Sequence, residues 1–413
     1  MRKIQAASLT ERWKLIILVV AAAALSLKLY LALTTDGSLD VPGFEDWREK
    51  VQQFGVLGTY HRIGKFNNPF NHTPFVPQLL RTMGFLTEST PLPFKFWLRL
   101  PAILADTGSL LLVWKILEQS RLKFRPSTLV LMAACPISIL VSGFHGQVDP
   151  VMIFFLLLSL YLIESGRASW LAGIAFGMSM SIKVVPIIFA PAIFFYLSTL
   201  RERIVFFLSA GLFFTAISLP YMLQEPITIL KAIFGFGSIY GAWGWTRILV
   251  WSTGAEPYIK GNIFQLTEWH SAISRFGRYF MMWAICAASF LMNRRATKTP
   301  LFVQSGVVAF LFMFLTPGYG IQYQAWLVPW GLALGVRQLI IYYAVGSAYV
   351  SIEYLCWANW NAFPSICIPQ NLWTLGVACW CSVLVILMCY AHALMKPGSV
   401  FCPLPGVAEL EEH

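Results

Sequence analysis

Long apolar runs recur from one end of this chain to the other, and that pattern leaves few folds open. They lie near 13–34, 96–117, 127–143, 150–164, 169–185, 186–200, 204–223, 276–293, 300–316, 323–337, 338–357 and 372–395. At roughly 15 to 22 residues each, they predict about twelve transmembrane helices. Each run is too long and too evenly apolar for the alternating strands of a membrane barrel, and a backbone in lipid must satisfy its own hydrogen bonds, so helices remain. With 57% hydrophobic and 12% charged residues, the 413-residue chain cannot bury its apolar surface in a soluble core. The expected class is therefore an all-α polytopic membrane protein whose first partner is the lipid bilayer. The run from Leu15 to Leu33 is long enough to span and has no clear cleavage site after it, so it reads as a retained helix. No repeat, low-complexity block or soluble linker interrupts the pattern, and residues 1–413 read as one integral-membrane domain.

A net charge of +11 raises the question of nucleic acid, but the basic residues sit in short clusters between apolar runs. The membrane accounts for them better, and no nucleic-acid partner is expected. Arg2, Lys3, Arg12 and Lys14 precede the first run; Arg121, Lys123 and Arg125 follow the second; Arg167, Arg201, Arg203, Arg294, Arg295 and Lys298 fall on the same face if the helices alternate. Arg337 and Lys396 agree. By the positive-inside rule that face is cytoplasmic and holds both termini.

The polar segments then collect outside. They are a first loop of about 36–93 carrying short amphipathic helices, the turn from Phe144 to Pro150, the turn from Lys183 to Pro186, a second large segment of about 224–275, the turn from Thr316 to Gly320, and Trp357 to Asn371. A carrier more often places ionisable groups near the midplane, within its spans. Polar clusters gathered on one face fit an active site at the outer leaflet.

Within the first loop, Phe44, Trp47, Val51 and Phe54 share one face of a surface helix, with Glu45 and Asp46 at its start. Each acid either caps that helix or serves as a catalytic carboxylate; Asp46 is the favoured base. Asp149, which precedes Pro150, is likewise a cap or a site acid, and His145 and Gln147 beside it make a denser polar cluster than a turn requires. Asp106 lies inside an apolar run, where an acid costs about 2.5–3.5 kcal/mol, so it must meet a partner helix or an aqueous cavity. Lys183 departs from the inside-positive pattern and either snorkels or meets a lipid phosphate. Arg247 suits bidentate phosphate binding. Trp243 and Trp245 beside it are interfacial belt residues or a stacking surface for a sugar. His72, Gln322 and Tyr323 are further candidates for binding hydroxyl groups. Cys356 and Cys367 flank an outside loop and are candidates for a disulfide. There is no Walker loop, nucleophile elbow, zinc-protease helix or Cys-x-x-Cys pair.

The order of these features resembles the GT-C superfamily of integral-membrane glycosyltransferases. The acidic first loop is followed by Arg99-Leu100-Pro101 with Asp106, then by Gly143-Phe144-His145-Gly146-Gln147-Val148-Asp149, Lys183-Val184-Val185-Pro186, and Pro317-Gly318-Tyr319-Gly320-Ile321-Gln322-Tyr323. The likeness extends to about Trp330 and is greatest to bacterial, mannosyltransferase-like enzymes that use polyprenyl-phosphate sugars. It implies a polyprenyl-phosphate sugar donor, a lipid or glycan acceptor, and inverting transfer of a hexose, mannose favoured, to an acceptor hydroxyl on the periplasmic or lumenal face. It also implies a first-loop acid as base, which Asp46 matches, with Glu45 or Asp149 orienting the acceptor. Relatives carry two acids separated by one residue where this chain has adjacent Glu45 and Asp46, which leaves a divalent metal open and no cofactor certain. A bacterial inner membrane is the favoured setting, the ER membrane the eukaryotic equivalent. Two rival classes stand beside it: a transporter or flippase of lipid-linked sugars, which the short basic cytoplasmic loops disfavour, and an oligosaccharide ligase or polymerase, which the 224–275 segment keeps open.

Overall fold

The computed structural model describes residues 10–66, 68–120, 122, 124–235, 237–294, 299–334, 336–358 and 366–395. Of the basic residues used for orientation, Arg2, Lys3, Arg121, Lys123, Arg295, Lys298 and Lys396 lie outside the described residues. Helix α1 (Glu11–Thr34) leads into α2 (Asp40–Tyr60), α3 (Phe75–Ser89) and the long α4 (Phe94–Gln119). Next come α5 (Pro126–Ala133), α6 (Pro136–Leu140), a π-helical turn at Val141–His145, α7 (Asp149–Glu164) and α8 (Ser169–Ile182). A 3-10 turn at Val185–Phe189 opens α9 (Ala190–Tyr196), and α10 (Leu200–Met222) and α11 (Pro226–Gly235) follow. Strand β1 (Ile239–Tyr240), α12 (Gly244–Thr253), and strands β2 (Tyr258–Ile259) and β3 (Asn262–Leu266) precede α13 (Glu268–Asn293) and α14 (Leu301–Leu315). The chain closes with β4 (Gly318–Tyr319), α15 (Gln324–Leu327), α16 (Val336–Ala358) and α17 (Pro369–Met395).

Among the described residues, six helical stretches have the length and apolarity to cross a bilayer: Glu11–Thr34, Phe94–Gln119, Pro126–His145, Leu200–Met222, Val336–Ala358 and Pro369–Met395. Shorter apolar helices at Ser169–Ile182, Val185–Tyr196, Pro226–Gly235 and Leu301–Leu315 complete the bundle. The expected twelve full spans are thus corrected to six with shorter companions. The reason is local: Pro186 and Pro191 break one apolar run, and Gly320, Pro329 and Gly331 cut another into single turns. The chain is all-α as expected, with two short antiparallel pairings, β1 with β4 and β2 with β3, at its loops.

Helix α14 is buried without a break from Leu301 to Phe310. A helix apolar on every side belongs inside a bundle, and this one is wrapped by α13, α17, α9 and α7. At its start, Glu164 at the end of α7 accepts from the Phe302 amide at 2.9 Å. At its end, three indoles satisfy successive carbonyls that have no intrahelical donor: Trp243 on Met313, Trp380 on Phe314 and Trp245 on Leu315, at 2.9, 2.9 and 3.0 Å. Trp243 and Trp245 are therefore helix-end ligands rather than belt residues or sugar platforms.

The first loop builds a small core of its own. Phe44, Trp47 and Val51 are buried on one face of α2, as their spacing predicts, while Phe54 is 44% exposed because Gly55 at φ 72° breaks the helix beside it. Phe44, Trp47, Phe70, Val76, Leu80 and Met83 pack with Phe94 and Leu98 of α4, which fixes the loop against the bundle.

Candidate active site

A cavity of about 400 Å³ lies where the first loop meets the bundle. Its walls come from Asp40, Gly43, Phe44 and Trp47, Asn71 to Thr73, His145 and Gln147, Lys183 to Val185, Gly237 to Ile239, Thr316 to Tyr323, and Glu353 and Trp357. Most of these belong to polar segments that charge counting places on one face, while Glu353 comes from the apolar helix α16, so the fold joins regions far apart in sequence. The Thr316 turn is held by the β1/β4 pairing, by Ser238 Oγ donating to the Tyr319 carbonyl at 2.7 Å, and by stacking of Trp243 on Tyr319 at 4.4 Å. Gly318 is required there, since a Cβ would come within 1.8 Å of the Gly237 carbonyl oxygen.

Asp40, in the first turn of α2, is the carboxylate of the first loop that faces this cavity. Its side chain is 34% exposed, and its Oδ2 lies 3.3 Å from His145 Nε2 and accepts from Gln147 Nε2. Ser38 fixes the approach, with its Oγ donating to the His145 carbonyl at 2.8 Å and accepting from the Asp40 amide at 3.1 Å. The π-helical turn swings His145 out of register with α6, and Gly146 at φ 86° then lets the chain double back beneath Val41. His145 is buried and stacks on Tyr354 at 5.0 Å, with Trp357 at 5.9 Å. Burial alone would raise the Asp40 carboxyl, but the His145 charge, the bonds from His145 and Gln147, and the nearby Lys183 charge together hold it below the usual carboxylate value.

Lys183 lines the same cavity from the extended link after α8. Both oxygens of the fully buried Asp149 accept from its Nζ at 2.9 Å, and Asp149 also accepts from Trp326 Nε1 at 2.7 Å. Asp149 thus holds Lys183 in place and does not itself line the cavity. The Lys183 ammonium also lies over the rings of Tyr323 and Trp326, at 5.6 and 5.7 Å. His72 sits between Phe44 and Phe70, each at 5.5 Å, with Nδ1 buried and unpartnered. Burial, and then the Lys183 charge, pushes its imidazole down to about 3. Gln322 and Tyr323 line the cavity as the sequence suggests.

Other sequence candidates fall elsewhere. Glu45 is exposed, and Asp46 turns to its own Lys50 and to the Lys65 amide at 2.8 Å; neither lines the cavity. Helix α2 begins four residues before Phe44, so Asp40 rather than Asp46 occupies its first turn. Arg247 lies behind the wall, donating to the Gly241 carbonyl at 3.0 Å and stacking on Trp373 at 3.8 Å. Asp106 bonds Lys28 and, at 2.6 Å, Ser138, which makes it an ion-pair anchor between spans. Cys356 and Cys367, candidates in the sequence, are joined by a disulfide.

Three charged cavity residues escaped the sequence reading: Asp40, Arg278 and Glu353. A signal existed for each, since all three are charged and two of them fall in otherwise apolar helices. Among the described residues no group of three or more His, Cys, Asp or Glu is placed to hold a metal ion.

Residues 141–250 match the family model Mannosyltransferase (PIG-M). No curated protein matches the chain. Among solved structures, the crystal structure of ArnT from Cupriavidus metallidurans bound to undecaprenyl phosphate is similar over 91% of this chain and 77% of that one, at 12% identity and a TM-score of 0.47. The family match spans the π-helical turn, the Asp149–Lys183 pair and the strand that pins the Thr316 turn. The segment that forms one wall of the cavity is thus similar to a family of membrane mannosyltransferases.

Proposed function

We propose that this cavity transfers a hexose, mannose by family likeness, from a polyprenyl-phosphate donor to an acceptor hydroxyl at the outer membrane face, with inversion, and that Asp40 is the base. The observation that carries this reading is a carboxylate at the cavity wall that accepts from Gln147, lies 3.3 Å from His145 Nε2 and shares the cavity with Lys183. The acceptor hydroxyl gives its proton to Asp40 as its oxygen bonds to the anomeric carbon, and the bond from that carbon to the phosphate oxygen breaks. The departing lipid phosphate takes the electron pair. Lys183 and Arg278, both on the cavity wall, are the cations available to meet that charge.

The role expected for Asp46 thereby passes to Asp40, and the test separates the two. Asp40→Asn should lower transfer from defined hexosyl-polyprenyl phosphates by about 10²- to 10⁴-fold while the protein stays folded in detergent. Asp46→Asn should stay within about threefold of the parent, because Asp46 pairs with Lys50 outside the cavity. The opposite ranking would return the base to Asp46. A parent protein that moves lipid-linked sugar across vesicles without transferring it would favour the flippase class.

A further inference from the structure

An acid buried inside a membrane helix is tolerated when something in the protein pairs with it. Asp106 has Lys28 and Ser138, Asp149 has Lys183 and Trp326, and Glu164 has Ser120 and the Phe302 amide. Glu353 in α16 differs from all three. Its Oε2 is buried with no donor from the chain, and its side chain lines the cavity. A carboxyl group kept there without a protein partner is placed to meet one that arrives.

The surroundings say what arrives. Tyr349, Glu353 and Trp357 are spaced by four, so they form a single stripe along α16, and all three line the cavity. Trp357 ends the stripe against His145, the neighbour of Asp40. Glu353 stands one turn back, about 6 Å along the helix axis, which is close to the width of one sugar ring. Tyr349 is a rigid wall, stacked with Tyr319 and Trp243. A carboxyl group between two aromatic side chains offers acceptors for neighbouring hydroxyls and flat apolar surface for the ring's C–H face.

We propose that Glu353 is a specificity-determining residue that holds the hydroxyls of the transferred hexose, in a subsite walled by Tyr349 and Trp357. This rests on the glycosyl-transfer reading above and adds the sugar's seat to it. The hexose lies with its anomeric carbon toward Asp40 and its far hydroxyls on Glu353.

The test uses the full-length protein in detergent, hexosyl-polyprenyl phosphate and its single-deoxy analogues. The parent should lose about 10- to 100-fold in kcat/KM when the contacted hydroxyl is missing, the weight of one hydrogen bond to a charged group. Glu353→Leu should lose a similar factor on the complete donor and discriminate less than about threefold at that position, with Glu353→Gln intermediate. Thermal stability of both variants should equal or exceed the parent's, because no protein bond is broken; this readout separates a sugar contact from a structural role. Variants that keep the parent's discrimination at every deoxy position, or that change only acceptor kinetics, would overturn the Glu353 assignment and leave the transfer reading standing. A parent that uses no polyprenyl-phosphate hexose at all would overturn both.

Discussion

Asp149, behind the cavity wall, and Asp40, on it, are treated in opposite ways. Asp149 is fully buried, and both of its oxygens are taken by Lys183, with Trp326 on one of them. Asp40 is a third exposed, bonded on one side by Gln147 and His145 and open on the other to the cavity. The first arrangement spends the charge on holding a cation in place; the second keeps a charge available to a substrate. The contrast teaches that an acid's place in a dense polar motif does not make it the reactive one. On the reading proposed above, the acid that serves as base is the one that keeps an oxygen free for the acceptor.

The sharpest way to break this comparison is to remove each acid and read stability as well as transfer. Asp149→Asn should destabilise the protein by about 3–5 kcal/mol, because it strands a buried ammonium, and detergent thermal unfolding would show it. Asp40→Asn should barely move the unfolding midpoint while removing transfer. Equal stability losses in the two variants would erase the distinction.

A smaller effect comes from His72, which faces Lys183 and Asp40. A histidine held at about 3 stays neutral in the folded protein while the unfolded chain takes up a proton below about 6.5. The unfolded state then binds more protons between those values, so stability should rise with pH across that window, by at most about 1.4 kcal/mol per unit. In His72→Gln the drop in unfolding midpoint between pH 7 and pH 5 should shrink. An unchanged drop would assign the acid sensitivity to another group. The smallest effect belongs to Asp46→Asn, whose pair with Lys50 is a single i,i+4 contact within α2, worth about 0.3–0.5 kcal/mol for such pairs on helices. A larger loss would mean that the Lys65 amide bond anchors the loop.

Much of this was legible in the chain before any coordinates. The helical membrane class followed from apolar runs, and the gathering of His145, Gln147, Lys183, His72, Gln322 and Tyr323 around one cavity followed in outline from where Lys and Arg sit. Span count was not legible, because Pro186, Pro191 and Pro329 break apolar runs without changing their hydropathy. Partner choice was not legible either. Glu45 and Asp46 drew attention as adjacent acids, yet a helix that starts at Asp40 turns Asp46 toward Lys50 one turn on. Arg247 looked like a phosphate ligand because of its tryptophans, but Trp373 from α17 occupies its face, and nothing local announces so distant a neighbour. Glu353 was legible by the same rule that singled out Asp106, a lone acid in an apolar run.

The bridge between Cys356 and Cys367 has one further consequence. Thiols are kept reduced in the cytosol and are oxidised in the periplasm and the ER lumen, so a structural disulfide carries information about compartment. Trp357, next in the chain to Cys356, packs on His145. The redox chemistry of this corner therefore argues for the same side of the membrane that the lysines and arginines argue for, from a property that has nothing to do with charge.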